Sequence, residues 1–270
     1  MMGFQDLLRD RPYKPWHGYL IVTVIGISVV LAGVNKVKTL LNAPEVPTAD
    51  VPEVTYTDVV NDVEPTPVVV PPQEEPAPEP EPEPVVETRT QYNLALPWMS
   101  QAPFGVWDAM HEETCEEASV AMVIRYFEGE TGDIDPSAAD AELFNLVAYE
   151  EARGHQGSMT AFFYPRYLAE VVENPTVTDL KAYIDAGRPV IVPAAGRELG
   201  NPFFSGEGPI YHMLVVRGYT EDTFITNDPG TRHGKNYSYN IDTFMEAIGD
   251  WEGHNPASGA KRVIIVTPAQ

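Results

Sequence analysis

The spacing of apolar and polar residues divides the chain before any single residue is considered. Residues 18–34 form a nearly unbroken apolar run, which spans roughly 26 Å as a helix and suits a bilayer core when its flanks assist. Trp16 and Tyr19 are interface aromatics at one end, while Lys36 and Lys38 can snorkel at the other. The pattern predicts an uncleaved anchor. Val30-Leu31-Ala32 has the form of a cleavage site, but it lies inside the apolar run with no polar region before it. Arg9, Arg11 and Lys14 precede the span, which assigns residues 1–17 to the cytoplasm and the rest of the chain to the extracytoplasmic side.

From residue 93 onward helical periodicity comes first and strand-like alternation later. Helices are predicted at 115–128, 136–153, 165–172 and 178–186, from their Pro starts and Gly stops. Strands are predicted at 188–193, 210–219, 223–227, 237–239 and 262–267, with a helix at 241–248 between the last two. Helices segregated from a mostly antiparallel sheet mean an α+β fold, with the helical half N-terminal. There is no internal repeat.

Composition explains the stretch between these regions. Residues 35–92 are rich in Pro, Glu and Val, and twelve carboxylates between 43 and 90 face only Arg89. Proline removes backbone donors and like charges repel, so this segment is expected to be a disordered, extended spacer, in which the roughly 45 residues from 43 to 90 reach on the order of 140 Å. It carries about half of the net charge of −23, an acidity that argues against nucleic acid as a partner. Residues 93–270 remain as one domain with enough apolar residues for one core. A monomer is expected.

Cys115 is the only cysteine, placed where disulfides form but without an intramolecular partner. Thr114-Cys-Glu-Glu117 has the form of a capping box, which would make Cys115 the first helical residue. Its sulfur would then lie by unpaired backbone donors and the positive end of the helix dipole, which favours thiolate. The dipole supplies at most about 2 kcal/mol, so a cation must assist. Glu112, Glu113, Glu116 and Glu117 oppose a thiolate wherever they point at the sulfur. A buried, inert thiol is the competing reading.

His212 is the histidine that interrupts a predicted strand, on the face of Leu214 and Val216. The other five lie in loops, beside acidic residues or at the membrane flank. Asp228 stands 16 residues later, and a hairpin folded about Thr220 would set the two residues opposite each other on one face. The carboxylate could then orient the imidazole. Asn227 is the alternative orienter if a bulge shifts the register.

These residues resemble the papain-like cysteine peptidases, most closely the bacteriocin-leader-processing (double-glycine) peptidase-like domains of exported bacterial proteins. The resemblance runs from about Leu94 to Val266 and rests on residues 96–107, 113–119, 211–219 and 227–229. It implies Cys115 as nucleophile, His212 as general base and then acid, and Asp228 as orienter. It further implies an oxyanion-hole glutamine, for which Gln101 is the candidate. Gln101 lies 14 residues before Cys115 instead of a handful, a gap that the 103–108 loop would have to close. The activity implied is hydrolysis of a peptide or amide bond, with a peptide or protein as substrate.

Three rivals remain. His111-Glu-Glu-Thr-Cys115 mimics a zinc-binding spacing, but a helix starting at Cys115 leaves His111 outside it. No metal or cofactor is expected. An acyltransferase or transglutaminase-like enzyme would use the same thioester with an amine acceptor. A catalytically inactive surface-displayed binding domain would keep only the fold.

Overall fold

Alternating β-branched and aromatic residues in the second half of the chain form one antiparallel sheet that carries the rest of the domain. The computed structural model describes residues 44–62, 89–153, 166–253 and 255–269. The expected anchor at 18–34 and the central part of the spacer, residues 63–88, lie outside them. Among the described residues no helix is long and apolar enough to cross a membrane.

The strands are β1 (Tyr92–Asn93), β2 (Tyr167–Glu173), β3 (Val190–Ala195), β4 (Tyr211–Tyr219), β5 (Thr223–Asn227), β6 (Tyr237–Asn240) and β7 (Arg262–Pro268). Their order is β2-β7-β3-β4-β5-β6, with β1 added to the far end of β4. Each pairing is antiparallel. The helices are α1 (Tyr56–Asp62), α2 (Cys115–Phe127), α3 (Pro136–Arg153), α4 (Val177–Asp185) and α5 (Ile241–Ala247). The expected α+β class, with its helical half ahead of the sheet, is the observed one.

Burial explains why α2 and β4 form the centre. Every residue of α2 except Arg125 is buried, so it is covered on all sides. It packs on β4 and β7, and α3 lies against it. Strand β4 is buried from His212 to Tyr219, so both of its faces are covered. The nucleophile candidate and the imidazole candidate thus stand on the two most enclosed elements.

Three expectations are corrected. Residues 165–172, expected to be helical from Pro165, are instead largely β2, whose Val171 and Val172 face Ile264 and Val263 of β7. Pairing partners outside the local sequence overrode the start signal. The capping box at Thr114 is absent: its side chain makes no cap bond and donates to the Gln101 carbonyl at 3.2 Å. A capping box does open α4, where Thr176 and Asp179 satisfy each other's backbone donors.

The third correction concerns the spacer. Residues 46–62, read as disordered from composition, fold onto the domain. Ser238 N–H donates to the Pro47 carbonyl at 2.7 Å, Val54 bridges Leu94, and Glu53 pairs with Arg217 at 2.7 Å. Tyr56 of α1 meets the rings of Tyr126 and Phe127 edge-on, at 5.4 and 5.1 Å. Averaging over a long acidic, proline-rich window concealed a short segment with Val46, Tyr56 and Val59 to bury.

Gly187 gives a test of this arm. Its φ is +72°, and a Cβ there would lie 2.4 Å from Val59 Cγ1. Gly187→Ala is expected to destabilise by about 1–2 kcal/mol from the backbone alone, with a further loss from displacing α1. Adding Val59→Ala should recover only the steric part, as read by thermal unfolding.

Candidate active site

The strand-to-loop exits near His212 gather the polar residues of the domain. His212 and Asp228 are both buried, the latter completely. His212 Nε2 meets Asp228 Oδ1 at 2.7 Å. The register places this pair differently from the simple hairpin. Val215 faces Asn227 and Gly218 faces Ile225, with Arg217 bulged between the two registers. The pairing is therefore two residues out from a hairpin centred on Thr220, an even shift that keeps Asp228 on the face of His212. Asn227 does not reach the ring: its amide nitrogen donates to the Pro97 carbonyl at 2.9 Å and its oxygen accepts from Arg217.

Asp228 is held by more than the imidazole. Tyr239 Oη donates to Oδ2 at 2.5 Å, Asn201 Nδ2 to the same oxygen at 3.2 Å, and the Gly230 N–H to Oδ1 at 3.0 Å. Burial alone would raise this carboxyl, but the His212 charge and these donors outweigh it and hold it below the ordinary aspartate range. Tyr239 is pushed well up, by burial and by the neighbouring carboxylate, and stays a donor. Asn201 and Gly230 complete the cradle. Sequence reasoning found none of these three; only the alternation of Tyr237 and Tyr239 along β6 offered a signal.

Phe204 stands edge-on to the imidazole at 5.3 Å. Phe203 packs on His233 at 4.6 Å. Phe204 thus lines the His212 side, whereas Phe104 and Trp107 are exposed.

Cys115 opens α2 and is buried. The backbone N–H of Met213, the residue after His212, is the one influence that lowers the thiol. Among the described residues no hydrogen bond joins the sulfur to the ring, and none engages Nδ1. Burial is the largest influence on the thiol and Glu116 the next, followed among the carboxylates by Glu117 and Glu113. Together they raise it well above the ordinary range, against the Met213 donor. The expected bias toward thiolate from the helix start is therefore overridden, and the resting group is a thiol.

The 103–108 loop closes the long gap as expected. Gln101 is buried, its backbone N–H donates to the Pro229 carbonyl at 3.0 Å, and its carbonyl accepts from Thr114. Its amide nitrogen donates to the carbonyls of His111 and Glu112, at 2.8 and 3.2 Å, and Oε1 has no partner. Gln101 is thus brought to the cysteine-bearing turn with its donors engaged elsewhere. His111 is satisfied at both nitrogens, by Asp108 at 2.8 Å and Asp140 at 3.0 Å. That explains its burial without a metal.

Behind Cys115 lie three acids. Burial, chiefly, and Glu117 raise Glu116 to about 7, and burial with Glu117 and Glu116 raises Glu150 to about 8. Glu117 is raised too, mainly by burial. Carboxyls raised in the folded state contribute stability that is full below their ordinary range and is lost as pH rises through 7 to 8. The melting temperature should therefore fall between about pH 5 and about pH 8.5, and Glu150→Gln should flatten that slope.

Gly230 yields a sharper test. A Cβ there would meet His212 Cε1 at 2.7 Å and Phe204 at 3.1 Å, in a backbone conformation open to any residue. Gly230→Ala should displace the ring from Asp228, visible as shifted His212 ring resonances, and should lower thermal stability by about 1–3 kcal/mol.

Residues 93–258 match the family described as Peptidase_C39 like. Among solved structures, the chain is similar to the crystal structure of a candidate C39-like peptidase from Bacillus anthracis, at 15% identity and a TM-score of 0.42. That match covers 66% of this chain and 98% of the other. No curated protein matches the sequence. The family match spans more than half of the chain, which therefore belongs to the Peptidase_C39 like family of papain-like cysteine peptidases.

Proposed function

We propose that the chain hydrolyses a peptide or amide bond through Cys115, His212 and Asp228, by way of a thioester. The observation that carries this reading is the buried His212–Asp228 bond at 2.7 Å, made through Nε2 so that Nδ1 is left for a proton from the thiol. The packing of α2, which opens with Cys115, on β4 supports it, because it sets the cysteine helix against the strand that bears the imidazole.

Catalysis begins when the sulfur turns to the imidazole and gives its proton to Nδ1. Sulfur attacks the carbonyl carbon, the C–N bond breaks, and the amine leaves with the proton from the imidazolium. Water then cleaves the thioester, returning the thiol and releasing the acid. The imidazolium supplies the cation that the thiolate needs among its carboxylates, and Asp228 stabilises that cation. Gln101 serves the oxyanion only when its amide releases a carbonyl of the preceding turn, so substrate must compete for that donor.

Attachment to a membrane through residues 18–34, with the domain extracytoplasmic and a peptide or protein as substrate, belongs to the same proposal. It is supported by the apolar run and its flanks. A thiol-directed peptide vinyl sulfone tests the chemistry, since Cys115 is the only cysteine. Labelling should vanish in Cys115→Ser and fall by at least about 100-fold in His212→Ala. Labelling undiminished by loss of the histidine would reduce Cys115 to an ordinary thiol.

A further inference from the structure

The loop that presents Asp228 is closed by a ring of polar contacts, one member of which comes from far outside the family-matched region. Strand β5 ends at Asn227 and the chain rejoins the sheet at Tyr237. Between them the loop is tight: Asp228 N–H donates to the Gly234 carbonyl at 2.9 Å, and a Cβ on Gly234 would clash with the Asp228 carbonyl. Its ends are Asn227 and Asn236. The Asn236 N–H donates to Asn227 Oδ1 at 3.3 Å, and Arg217 Nη1 donates to the same oxygen at 3.3 Å. Asn236 Nδ2 donates to Glu53 Oε1 at 3.0 Å, and Arg217 Nη2 pairs with that oxygen at 2.7 Å. The ring Glu53–Arg217–Asn227–Asn236 thus clasps both ends of the loop.

Arg217 sits at the bulge between β4 and β5 and has no exposed surface. Its other partners are neutral oxygens, those of Leu94, Leu96 and Asn93. Among the described residues Glu53 is the carboxylate that pairs with it. Burial pulls the guanidinium down to about 10, and Glu53 is the first influence opposing that. A buried guanidinium deprived of its counter-charge must move toward water or admit it. Strand β4 is packed on both faces, so the loop at Asn227 is the part free to yield.

We propose that Glu53, together with Asn236, is a positioning residue for the carboxylate that orients His212, acting through Arg217 and Asn227. The inference rests on the Cys115–His212–Asp228 reading above. The arm at 46–62 is then a working part of the peptidase domain and not simply its stalk.

The test is alkylation of Cys115 by iodoacetamide in the full-length chain, followed across pH. The thiolate displaces iodide, so the rate on the acidic side reports how well the imidazole takes the thiol proton. Glu53→Gln should lower that acidic-side rate by about tenfold, equivalent to about 1.4 kcal/mol. Asn236→Gly, which keeps the left-handed backbone at φ 54° and removes only the side-chain contact, should lower it several-fold. Thr55→Ala removes the cap of α1, a hydroxyl that accepts from the Asp58 N–H and donates to its carboxylate, and should leave the rate within about twofold of wild type. If Glu53→Gln does not fold, Asn236→Gly decides.

Wild-type rates in the Glu53 and Asn236 variants, alongside a His212→Ala variant that loses the acidic-side reaction, would overturn the positioning role alone. An equal loss in Thr55→Ala would overturn it as well, by reducing the arm to a stability element. A His212→Ala variant that alkylates like wild type would remove the triad itself.

Discussion

A carboxylate with no exposed surface must be fully satisfied by its surroundings, and Asp228 imposes that requirement on the whole domain. Its donors come from four places in the chain: His212 on β4, Asn201 in the loop before it, Tyr239 on β6 and the backbone of Gly230. Meeting them needs three neighbouring strands in one register. An ionised aspartate in that position, left with a donor missing, would cost more than most single packing contacts contribute. The polar cradle therefore constrains the fold as strongly as the apolar core does.

The cysteine side follows the opposite logic. Helix α2 is buried around nearly its whole circumference, and three carboxyls raised by that burial lie behind the sulfur. Such surroundings disfavour a standing thiolate, so under the proposed mechanism charge separation belongs to the moment of reaction. A thiol kept protonated at rest is also slower to oxidise or alkylate than a permanent ion pair. For a single unpaired cysteine that is protective chemistry.

Much of this was legible in the sequence. Cys115 at a helix start, His212 inside a strand and Asp228 after a short turn came from periodicity and spacing, and so did the α+β class. Even the register error did no harm, because a two-residue shift preserves the face. What stayed hidden depends on contacts across large separations. Nothing local marks Asn201 as a donor to Asp228. Tyr167–Glu173 became a strand because β7 offers it an edge. Residues 46–62 fold because Arg217, more than 150 residues later, is buried and needs Glu53. Composition is an average, and it erased a short segment whose few apolar side chains had specific places to go.

The sheet order has a kinetic consequence. Strand β7, the last described strand in sequence order, lies between β2 and β3, and β3 is the direct neighbour of the strand that bears His212. Until residues 262–268 have been synthesised, both flanking strands present bare edges and the central layer cannot close. A nascent chain must therefore wait, with β2 and β3 already made, for β7 to emerge. The sheet is completed late and all at once.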